Sequence, residues 1–145
     1  MASNAIVRDI MTINPRVVRE DTSIREVIAT LSKYDINSLI VVQNDKPDKP
    51  VGILTTRDTL VRGFEYGLPV GALTAQMVAS TPIITIDEQA TVEEAANLMK
   101  RNKIKHLPVT RDNKLVGIVS DTDIMFAVPS MLSMMQEVCR QTVTA

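Results

Sequence analysis

Residues 51–58 read VGILTTRD and residues 116–123 read VGIVSDTD. Each is Val-Gly-Ile, an aliphatic residue, a hydroxyl, two variable positions and an aspartate. An apolar run that stops at a hydroxyl three residues ahead of an acid has the pattern of a strand feeding a helix, because hydroxyl and acid can cap the first turn reciprocally. Two intact copies mean a duplicated unit if their flanks repeat as well, and they do.

Residues 9–18 (DIMTINPRVV) and 75–86 (AQMVASTPIITI) share a methionine, an X-Pro step and a β-branched run, each predicting a short strand after a turn. Next, Ile24, Val27, Ile28 and Leu31 are matched by Val92, Ala95, Ala96 and Met99, both at the i, i+3, i+4, i+7 spacing of an amphipathic helix. Thr22 and Ser23, or Thr91, precede these positions, with Glu26, or Glu93 and Glu94, in or near the first turn, as helix starts prefer. Leu39–Val42 with Val51–Leu54, and Leu107–Val109 with Leu115–Val119, predict two hairpins. The turn at Arg111–Lys114 is short, whereas Gln43–Pro50, with two prolines, predicts a long exposed loop suited to contacts. Closing helices open near Asp58, with Leu60, Val61 and Phe64, and near Asp123, with Ile124 and Met125.

The fold class is therefore mixed α/β, of the α+β type, with two tandem β-α-β-β-α repeats. Repeat 1 spans residues 7–66, a tight linker 67–73, repeat 2 residues 74–128, and a C-terminal helix 129–143. One copy of about 55 residues buries too little apolar surface to stand alone, so the copies are expected to share a core. In the tail, Met131, Leu132, Met135, Val138 and Cys139 form an apolar stripe. It either packs on its own domain or offers an adaptable surface to a second subunit.

Composition removes several functions. The 145 residues are 45% apolar and 23% charged, with 16 basic and 17 acidic side chains for a net charge of -1, so no global field recommends nucleic acid or an anionic membrane. Cys139 is the only cysteine and His106 the only histidine, which removes internal disulfides and two-histidine metal motifs. No run approaches the roughly 18 apolar residues that span a bilayer, and a reduced, cytoplasmic setting is expected. No nucleophile-base set or glycine-rich phosphate loop forms, so no catalytic residue, metal site or enzyme activity is expected.

The repeated motif itself admits two readings. Gly52 and Gly117 can let a ligand approach the backbone, a helix start offers N–H groups to phosphate, and the aspartate can accept both hydroxyls of a ribose. Equally, Thr55-x-x-Asp58 and Ser120-x-x-Asp123 can be capping boxes and nothing more. The cluster Lys100, Arg101, Lys103, Lys105 and His106 either supplies phosphate donors or decorates a helix C-terminus.

The chain resembles the cystathionine-β-synthase (CBS) domain pair, or Bateman module, whose repeats carry a Gly-apolar-x-Ser/Thr-x-x-Asp signature. The resemblance covers about residues 7–128. It implies pseudo-two-fold symmetry between the repeats and a free-standing regulatory, ligand-sensing module binding an adenine nucleotide (AMP, ADP or ATP) in clefts between them. The nucleotide is then a regulatory ligand and no cofactor is involved. One site would use Ser120, Thr122 and Asp123 with Thr22, Val27, Ile36 and Asn37. The other would use Thr55 and Asp58 with Ala90, Ala95, Ile104 and Lys105, and with Arg57 where the second copy has Thr122. His106 would contribute to phosphate. Asn37 and Ser38 stand where the second repeat has Lys105 and His106, so one stronger and one weaker or empty site are expected. The resemblance further implies a homodimer and an effector protein as partners. S-adenosylmethionine is the alternative ligand, and a ligand-free interaction scaffold, working through the tail stripe and the Gln43–Pro50 loop, the alternative class.

Overall fold

The computed structural model describes residues 5–144, with side chains as far as Val138. Its elements in chain order are α1 (Val7–Ile10), β1 (Thr12–Ile13), β2 (Val17–Arg19), α2 (Ile24–Tyr34), β3 (Ser38–Gln43), β4 (Lys46–Thr55), α3 (Thr56–Tyr66), α4 (Ala75–Val78), β5 (Ile86–Asp87), α5 (Val92–Asn102), β6 (His106–Arg111), β7 (Lys114–Ser120), α6 (Asp121–Ala127), a 3-10 turn (Pro129–Met131) and α7 (Leu132–Thr144). They form two compact units, Pro15–Ile83 and a second made of the described residues up to Asn14 together with those from Ile84 onward.

In the first unit β2 runs parallel to β3, and β3 antiparallel to β4, in the order β2-β3-β4. Helix α2 starts where the Ser23 hydroxyl accepts the Glu26 N–H and stops at Asp35 in the left-handed region, which asparagine and aspartate tolerate. It buries Ile24, Val27 and Leu31 against Leu39, Val41 and Leu54. Ile28, expected on that apolar face, is 44% exposed.

The second unit repeats the plan with one strand more. Its order is β1-β7-β6-β5, with β5 parallel to β6 and the other pairs antiparallel. Thr91 caps α5 by accepting the Glu94 N–H, and Val92, Ala95, Ala96 and Met99 are all fully buried. The strands expected after Pro15 and Pro82 are β2 and β5.

Three features differ from expectation. The lead-in of the chain, α1 and β1, joins the second unit: β1 pairs with β7, the Val7 N–H donates to the Ala90 carbonyl, and the Arg8 N–H to that of Glu88. Correspondingly α4 packs in the first unit, where Ser80 bridges Ile53. Both four-residue helices are too short to leave a periodic pattern. Second, the Gln43–Pro50 segment is mostly strand. Gln43 pairs with Lys46 across a two-residue turn, while Val42 pairs with Pro50, so residues 47–49 bulge outward. Because β4 is an edge strand, its prolines break no ladder that needs their N–H. Third, the tail stripe covers its own unit, with Met135 and Val138 fully buried in the core and Met131 and Met134 packed against it. Leu132 alone among its described residues remains 45% exposed, and the Cys139 side chain lies outside the described residues. Among the described residues no helix is long and apolar enough to cross a membrane.

Candidate functional site

Both motifs form complete capping boxes. The Thr55 hydroxyl accepts the Asp58 N–H at 3.1 Å, and Asp58 Oδ2 accepts the Thr55 N–H at 3.0 Å. At the second motif the Ser120 hydroxyl accepts the Asp123 N–H at 3.1 Å, and Asp123 Oδ2 accepts the Ser120 N–H at 2.8 Å. Capping is therefore realised twice, and it occupies one carboxylate oxygen of each aspartate. The Oδ1 oxygens take no hydrogen bond within the described residues, and both side chains are half-buried, so the second oxygen remains available as an acceptor.

In the first unit the structure brings the Thr55–Asp58 motif beside the end of α2. The Asn37 carbonyl accepts the Thr56 N–H at 2.9 Å and its hydroxyl at 3.4 Å, and Ser38 pairs with Thr55. Ile36 is half-buried, Asn37 and Arg57 are exposed, and Val27 is wholly inside the core. The Thr22 hydroxyl accepts the Arg19 N–H at 3.1 Å, and its carbonyl accepts from Ala75 in α4.

The second unit builds the same junction. The Lys105 carbonyl accepts the Asp121 N–H at 2.9 Å, and His106 pairs with Ser120 across the hairpin. Ile104, Lys105, His106 and Ala90 are half-buried, Thr122 is exposed, and Ala95 is inside the core. Only the side chains break the correspondence: Asn37, Ser38, Thr56 and Arg57 face Lys105, His106, Asp121 and Thr122 in the alignment of the two motifs.

Asp121 is the participant that motif reading left aside. It is 5% exposed, and its Oδ1 accepts the Thr122 N–H at 2.8 Å. The signal available for it was a second acid inside the capping box. Burial holds the His106 imidazole below its ordinary value of 6.5, Asp121 opposes that shift, Lys105 reinforces it and Asp123 opposes it.

The two glycines have a packing use. A Cβ at Gly117 would lie 2.6 Å from Met11 Sδ and 2.9 Å from the Thr12 carbonyl; one at Gly52 would lie 3.2 Å from Ala79 Cβ and from the Ser80 carbonyl. They admit the chain's own segments, Met11–Thr12 at Gly117 and 79–81 at Gly52.

A surface groove of about 280 Å³ is lined by Arg62, Glu65, Tyr66 and Met77, none of them a motif residue. Arg62 donates to the Ala79 carbonyl at 2.9 Å, and Tyr66 OH donates to that of Met77 at 2.9 Å. No group of three or more metal-ligating side chains exists among the described residues.

The sequence profile of the CBS domain matches residues 7–62 and 75–130. Hypoxic response protein 1 of Mycobacterium tuberculosis is 31% identical over 84% of this chain and 84% of its own length. An uncharacterized protein of Methanopyrus kandleri is 34% identical over 90% of this chain, and this chain spans 63% of that protein's length. Among solved structures, CBSX2 in complex with AMP matches with a TM-score of 0.74 at 22% identity, over 88% of this chain and 98% of that one. At that identity the likeness is one of fold.

Proposed function

The chain belongs to the CBS domain family, a family of regulatory modules, and from that premise we propose that it senses an adenine nucleotide, AMP, ADP or ATP, at its two motifs and passes the ligand state to a partner protein. The observation that carries this reading is the half-used carboxylate. Each motif aspartate gives one oxygen to the cap and keeps the other as an acceptor, which a ribose hydroxyl can use. AMP bound to CBSX2, a structure of the same fold, supports the ligand class. The module works as a homodimer in a reduced, cytoplasmic setting, and its output passes through an effector protein.

Calorimetry with AMP, ADP, ATP, GTP and S-adenosylmethionine tests it. Ligand at 100 times its Kd should add about 2.7 kcal/mol of stability. Asp58→Asn and Asp123→Asn keep an oxygen for the cap while replacing the free one by a donor, so binding should fall with the fold intact. Binding unchanged in both variants would sink the reading. S-adenosylmethionine is the second reading, and that arm of the titration decides between them.

A further inference from the structure

We infer that the groove on the first unit binds a free α-amino acid with an apolar side chain. Its lining residues, Arg62, Glu65, Tyr66 and Met77, belong to neither motif, so the inference stands apart from the nucleotide reading.

Two elements of one unit build the groove. Arg62, Glu65 and Tyr66 follow the i, i+3, i+4 spacing on α3 and share one face, and Met77 lies in α4. Arg62 Nη1 donates to the Ala79 carbonyl at 2.9 Å and to that of Val78 at 3.5 Å, and the Tyr66 hydroxyl donates to the Met77 carbonyl at 2.9 Å. These carbonyls lie at the C-terminal end of α4. Arg62 and Tyr66 are therefore held in place without a ligand, which lowers the cost of ordering them around one.

The groups left over by these bonds define the ligand. Only Nη1 of Arg62 has a partner among the described residues, so Nε and Nη2 remain as donors. The Glu65 carboxylate makes no hydrogen bond or ion pair there, with Arg62 or with any other group. A guanidinium donates to a carboxylate and a carboxylate accepts from an ammonium, while the Tyr66 oxygen can still accept. Half-buried Met77 and the Tyr66 ring add apolar surface. One cation beside one anion disfavours both a plain anion and a plain cation, and complements a zwitterion that carries both charges on one carbon. The volume of about 280 Å³ falls short of the roughly 300–1,000 Å³ usual for drug-sized ligands, which suits a single amino acid.

The repeat itself does not demand these charges. In the alignment of the two motifs Ala127, Ser130 and Met131 stand where the first unit has Arg62, Glu65 and Tyr66, and Met11 matches Met77. Helix α1 packs beside α6 with no charged group at those places.

Calorimetry and proton NMR on the full chain with L-leucine and L-methionine test the inference, with isocaproate and isoamylamine as the forms of leucine that lack one charge each. Leucine or methionine should bind, and leucine should exceed either control by about tenfold or more, the effect of losing one charge-assisted hydrogen bond. Glu65→Gln removes the charged acceptor for the ammonium and should weaken amino-acid binding by a similar factor; Glu65 is exposed and unbonded, so the variant keeps its fold. Tyr34 and Tyr66 are the only tyrosines, and the ring resonances of Tyr66, identified by their absence from Tyr66→Phe, should move while those of Tyr34 stay. No binding of either amino acid up to about 10 mM, equal binding of a control, unchanged binding in Glu65→Gln, or an unmoved Tyr66 ring each overturns the inference. None of these measurements involves nucleotide, so their failure leaves the nucleotide reading standing, and a chain that binds leucine but no nucleotide loses that reading alone.

Discussion

At the residue scale, the motif aspartates serve a structural bond with one oxygen and leave a site for chemistry on the other. Asp58→Ala and Asp123→Ala should each cost about 1 kcal/mol of stability through the lost cap, measured by urea denaturation, whereas the asparagine variants should cost less. His106 adds a pH dependence to folding itself. Its folded value lies below 6.5, so as pH falls from 6.5 toward that value the unfolded chain holds the larger share of protons and stability declines, levelling off below it. Wild type should therefore lose more stability than His106→Gln between pH of about 7.5 and about 5.5; equal losses would show that the ring is not buried as described. Gly117→Ala places a methyl 2.6 Å from Met11 Sδ and 2.9 Å from a backbone oxygen, an overpacking worth about 1–3 kcal/mol. Its effect should exceed that of Gly52→Ala, whose neighbours stand at 3.2 Å or more.

At the scale of elements, what the sequence made legible follows its periodicities. Helices α2 and α5 carry the i, i+3, i+4, i+7 spacing and a hydroxyl cap, and both hairpins carry turn residues between apolar runs, so their place was readable. The four-residue helices were not, because one turn leaves no period to detect. The prolines of β4 suggested a loop because proline is excluded from central strands, and edge position cannot be read from one strand alone. The stripe on α7 was legible as a stripe, while what covers it was a question of tertiary packing. Because Met135 is fully buried among Val92, Met99 and Ile124 in the second unit's core, Met135→Ala should cost about 2–5 kcal/mol by chemical denaturation, a loss that a free docking surface would not suffer. The candidate site was legible in its motif residues and in Lys105 and His106. Asp121 was obscured because its importance comes from burial.

For the whole molecule, the covered tail leaves α3 as an apolar surface that the proposed homodimer would use. There Leu60 is 69% exposed and Phe64 88%, with Val61 also exposed, and a contiguous patch of this kind is self-complementary when two copies of one helix pair about a two-fold axis. If the proposed homodimer forms through α3, Phe64→Glu should leave a monomer in sedimentation measurements without lowering the melting temperature of the monomeric fold. A dimer that survives it would place the interface elsewhere.

The departure of α1 and β1 from their own repeat also sets an order of events during synthesis. Everything from Pro15 to Ile83 is complete in itself, so it can acquire its structure while the ribosome is still producing the remainder. Elements α1 and β1 have no such freedom. The hydrogen-bonding partners of α1 and β1, from Glu88 to β7, lie beyond Ile83 in the chain, so these two elements find their place only after the residues that follow the first unit have been made.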